Sequence, residues 1–109
     1  MASDWKSIID GLEGDITDEA KSSAKNFIDG LLSEGNDFTR RQGQKITAYL
    51  GEYERGELTA GDLKECMNDI VLLTESEAAK KSVEAKQKLQ ALALNVSKIV
   101  LKAVIAAII

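Results

Sequence analysis

Apolar residues recur along this chain at intervals of three and four, the spacing of one face of an α-helix, and nowhere settle into the alternation a strand requires. The first stripe is Trp5, Ile8, Ile9 and Leu12, with Ser3 placed to cap it and Gly11 and Gly14 at its end. A second begins at Asp15 or Thr17, carries Asp18 and Glu19 where a helix dipole favours acids, and runs through Ala20, Ala24, Phe27, Ile28, Leu31 and Leu32 to Gly35. After a Gly35-Asn36-Asp37 turn, a third carries Phe38, Ile46, Tyr49, Leu50 and Tyr53 up to Gly56. Gly43 and Gly51 weaken that helix by about 1 kcal/mol each relative to alanine, which points to close packing against a neighbour.

The sharpest start signal is Thr59, an N-cap with Asp62 three residues on, flanked by Leu58 and Leu63 as a hydrophobic staple. The helix that follows carries Leu63, Cys66, Met67, Ile70, Val71 and Leu73, and then meets Thr74-Glu75-Ser76-Glu77, a second capping pattern. Beyond it the positions Ala78, Ala85, Leu89, Leu92, Val96, Ile99, Ala103 and Ala106 form a new stripe, out of phase with the first, which predicts a bend or two different partners. Unbroken from Gly61 onward, this helix would be about 70 Å long, far more than a compact bundle of this size needs.

The expected fold is therefore all-α: a small bundle with a short N-terminal helix, two of middle length, and a long or bent C-terminal helix. Residues 1–109 are read as one domain, with 61–109 as the C-terminal helix and a break expected near 74–77. Both the length and the balance of 44% apolar to 29% charged residues suit one modest core rather than disorder.

Residues 91–109 are the unusual part. Asn95, Lys98 and Lys102 fall on one narrow stripe and nearly all the rest is apolar, so this surface must be hidden. Nineteen helical residues span roughly 28 Å, close to a hydrocarbon core of ~30 Å, but each lysine at mid-membrane depth would cost up to ~3 kcal/mol, which disfavours a simple anchor. Three readings stay open: the central helix of a bundle, a self-association seam through Leu89, Leu92, Val96, Ile99, Ala103 and Ala106, or an interfacial or pore-lining helix whose Lys98 and Lys102 face water.

Charge sharpens the contrast between the two ends. Residues 1–37 hold the acids Asp4, Asp10, Glu13, Asp15, Asp18, Glu19, Asp29, Glu34 and Asp37 against three lysines, whereas 77–109 hold Lys80, Lys81, Lys86, Lys88, Lys98 and Lys102 against two glutamates. Either the first and last helices attract one another within the bundle, or the basic helix meets an anionic surface. Nucleic acid is excluded as that surface: the basic segment has no aromatic ring to stack bases, and the net charge of −4 repels phosphate.

Catalytic chemistry is sparse. There is no histidine, which removes the commonest general base and metal ligand. No phosphate-binding glycine pattern is present. Cys66 falls mid-helix on the apolar side, where a thiol is a packing residue. Aligning Gly56 with the glycine of a calcium loop puts Gly51, Tyr53 and Arg55 where carboxylates belong, and Asp62, Glu65 and Asp69 read as a solvated stripe. No metal, cofactor or catalytic residue is expected. Trp5 is a candidate anchor at an interface, no signal peptide is evident, and cytoplasmic synthesis is expected. The leading expectation is a non-enzymatic interaction or structural protein, a homo-oligomer or the partner of another helical chain; the alternative is a membrane-active or pore-forming protein that inserts its lysine-striped C-terminal helix into a bilayer or lays it on one.

Overall fold

The computed structural model describes residues 5–108, whose regular secondary structure is entirely helical. The element order is α1 (Trp5–Asp10), α2 (Asp18–Leu32), α3 (Asp37–Glu54), α4 (Ala60–Ala78), α5 (Val83–Asn95), a π-helical segment (Val96–Leu101) and α6 (Lys102–Ile108). The last three run on as one C-terminal helix. Ser3, read above as a cap, lies outside the described residues.

Local chemistry sets the boundaries of the middle helices. Thr17 and Asn36 accept hydrogen bonds from the amides of Ala20 and Thr39, each satisfying a donor that the helix start leaves unpaired. At α4 the reciprocal box is complete: the Asp62 amide donates to Thr59 Oγ1 at 3.0 Å, and the Thr59 amide donates to Asp62 Oδ2 at 3.1 Å.

α2 and α3 form one hairpin and α4 with the C-terminal helix a second. α3 packs on α4, and the π-helical segment returns to α2, which closes a ring of four around the core. α1 lies on α2 and α3. The centre is built from Ile28, Ile46, Leu50, Leu63, Met67, Ile70 and Val96, all essentially inaccessible to solvent. Gly43 permits the close approach of the first hairpin: a Cβ there would lie 2.8 Å from Leu31 Cβ. Gly51 has no such role, since a Cβ would meet only the Arg55 side chain of its own helix.

The chain turns five residues later than the 74–77 pattern implied. Thr74 is fully buried inside α4, and its hydroxyl donates to the Ile70 carbonyl at 2.7 Å, so it is satisfied without capping anything. The turn falls at residues 79–82, where the amides of Lys80 and Lys81 donate back to Glu77 and Ala78 and the two lysines sit beside the negative end of α4. A 70 Å helix has no place in a molecule measuring 40 × 28 × 27 Å.

Candidate functional site

The six residues read as an assembly seam do not share one exposed face. Leu89, Leu92, Val96 and Ala103 are buried within the chain itself, while Ile99 and Ala106 are half-buried. Within the seam the step from Val96 to the next core residue is four, to Val100, rather than three, to Ile99. A π-helical turn takes up more residues than an α-helical one, so the core positions continue as Val100, Ala103 and Val104 and Ile99 rotates toward the edge. No feature of residue type marks Val96–Leu101 for this geometry; packing against α4 and α2 sets it. Lys98 and Lys102 are exposed, and among the described residues no helix is long and apolar enough to cross a membrane.

Ile99, Ala103 and Ala106, together with Lys98 and Lys102, instead line one wall of a groove of about 400 Å³. The other wall comes from the start of α2 and the residues before it: Asp15, Ile16, Thr17, Ala20 and Ser23. Ala20 and Ser23 lie on α2 and Ile16 just before its cap, while the end of α1 is held by Lys21 and Lys25 through the Asp10 carbonyl at 2.9 Å and carboxylate at 2.6 Å. The Asp15 amide donates to the Ala106 carbonyl at 3.1 Å and pins the two walls together at one end. The α2 wall escapes sequence reasoning because it pairs segments some 80 residues apart, and nothing local announces that pairing.

The groove is apolar along its floor and charged along both edges. Lys98 and Lys102 stand exposed on one side and Asp15 on the other, followed by the exposed Asp18 and Glu19 in the first turn of α2. Among the described residues, attraction between the first and last parts of the chain, one of the two readings of the charge asymmetry, does not take the form of direct ion pairs. Among the described residues the acids of 1–37 pair instead within their own half, as Lys6–Asp29, Lys25–Asp10 and Arg40–Asp37. α1 docking on α2 brings Asp10 and Asp29 to lysines and leaves the groove edges unneutralised.

Trp5 is half-buried against the core, with Lys6 Nζ 5.6 Å from its ring centroid. Burial, followed by the nearby Asp69, Glu52, Asp62 and Glu65, pushes the Cys66 thiol up, which opposes formation of the nucleophilic thiolate. Tyr49 is raised by burial and then by Cys66, Asp69 and Glu52. Asp62, Glu65 and Asp69 are exposed, and among the described residues no three acidic or thiol groups gather in a way that could hold a metal ion. In the loop before α4, Arg55 Nε and Nη2 donate to the two Glu57 carboxylate oxygens, and Asp62 is committed to its cap.

No family model, curated protein or solved structure matches the chain.

Proposed function

We propose that the chain is a non-enzymatic helical interaction protein that assembles with other helices, including copies of itself, through the groove between α2 and the C-terminal helix. The observation that carries this reading is the groove itself, an apolar trough between two helices with charged edges, the form in which helical surfaces receive a further apolar helix face. A chain without histidine, with its one thiol held protonated, has little to offer as a catalyst.

Ser23 is exposed, lines the groove and packs into no core, so Ser23→Trp fills the trough without disturbing the fold. Absolute mass by light scattering over a concentration series should show assembly of the wild-type protein and its loss in Ser23→Trp. A mass that rises identically in both proteins would place association elsewhere and sink this reading.

The second reading, lipid surface binding, draws on Lys98 and Lys102, which are exposed and make no ion pair among the described residues. On that reading they meet anionic headgroups. Co-sedimentation with vesicles containing anionic lipid should then be abolished by Lys98→Glu with Lys102→Glu; undiminished binding by that variant would eliminate it.

A further inference from the structure

We infer that the occupant of the groove is a second copy of this chain, related by a two-fold axis that runs along the groove. This rests on the groove being an interaction surface, and adds the partner's identity and its orientation. The argument is one of charge. One wall carries Lys98 and Lys102 and the opposite wall carries Asp15, with Asp18 and Glu19 following it in the first turn of α2; all five are exposed and none is in an ion pair among the described residues.

The two charged edges also lie at the same end of the molecule, because the Asp15–Ala106 hydrogen bond sets the start of α2 level with the end of the C-terminal helix. Two copies can meet groove to groove about an axis across the groove or about one along it. An axis across sets each α2 against the other α2, acid on acid, and each lysine edge against its equal. An axis along sets α2 of one copy against the C-terminal helix of the other at the same height, so that both lysine edges face acidic ones. Like charges brought together across an interface are costly and opposite charges fix register, so the second arrangement is selected.

The apolar surface joined at the centre is Ile16, Ala20, Ile99 and Ala106.

The test is a charge exchange. Lys98→Glu with Lys102→Glu makes both edges of a copy acidic, and Asp15→Lys with Glu19→Lys makes both basic. Each protein alone should weaken self-association by at least about tenfold, and an equimolar mixture of the two should form a dimer. Dimers formed equally well by either variant alone, or a mixture that stays monomeric, would overturn the arrangement. Lysine at position 19 stands unfavourably in the first turn of α2, so circular dichroism must show each variant helical. Should one unfold, the salt dependence of wild-type dimerisation decides: affinity falling with ionic strength supports the arrangement, and affinity indifferent to it does not. Charge exchange without effect, in a protein whose assembly Ser23→Trp still abolishes, leaves the groove as the interface and removes only this geometry. A wild-type protein monomeric at every concentration removes the two-fold pair together with self-assembly.

Discussion

Gly43 of α3 faces Leu31 of α2 so closely that a Cβ on Gly43 would stand 2.8 Å from the Leu31 Cβ, with the Leu32 backbone nitrogen at 3.3 Å. One neighbour is backbone and the other a Cβ, the least movable atom of a side chain. Alanine would gain about 1 kcal/mol in helix propensity and lose about 1–3 kcal/mol to forced separation of the helices. Gly43→Ala should therefore be net destabilising, as read by the midpoint of urea unfolding. A stabilised variant would mean that the hairpin tolerates a wider spacing.

The cap of α4 is a separable contribution. Thr59→Ala removes the hydroxyl that accepts from the Asp62 amide and should cost about 1 kcal/mol, with Asp62→Ala costing less. Thermal unfolding followed at 222 nm measures both. Because the two groups act as one box, the double variant should lose less than the sum of the single losses.

Val96 and the lysines two and six residues beyond it should respond in opposite ways. Val96 is 0% exposed and Val96→Asp buries a charge without a partner, an expected loss of several kcal/mol that unfolds the monomer. Lys98→Glu with Lys102→Glu should change unfolding free energy by less than about 0.5 kcal/mol per site, since both side chains stand in solvent. Denaturant melts at low protein concentration, where assembly contributes nothing, separate the two effects. Stopping the chain after Gln90 should likewise unfold the protein, because it deletes Leu92, Val96, Val100, Ala103 and Val104 from the core.

Cys66 reports on pH. Burial first, then Asp69 and the other acids near it, hold its folded-state pKa above that of an unfolded thiol. The folded state thus keeps its proton where the unfolded state has lost it. The contribution to stability is whole below the unfolded thiol's pKa and declines as pH rises through the folded one. Alkylation by iodoacetamide should be slow at neutral pH, with a rate–pH midpoint above that of free cysteine, and Asp69→Asn should bring the midpoint down. A midpoint at or below the free-thiol value would contradict the burial argument.

How much of this could be read from the chain depends on the distance over which each feature is decided. The Thr59–Asp62 box, the Thr17 cap and the Leu63-Met67-Ile70 stripe lie within one or two turns, and the residues that satisfy them are neighbours in sequence. The all-α class follows from the same local regularity. Thr74-Glu75-Ser76-Glu77 has the spacing of a cap, yet Thr74 is buried, because a hydroxyl can equally well return its proton to the carbonyl four residues back, and only the surroundings choose between the two.

What the sequence by itself determined, then, was the helices and most of their ends, all set by hydrogen bonds and periodicity within a few residues. What only the tertiary structure decided was the turn at residues 79–82, the π-helical step that moves Val100 into the core and Ile99 to its edge, and the groove that joins Ile99 and Ala106 to Ala20 and Ser23. Those depend on which helix each face meets. The physical reason is that burial is settled by the sum of contacts across the whole core, in which a segment such as Val96–Leu101 gives up regular α-helical geometry to place its side chains between α4 and α2.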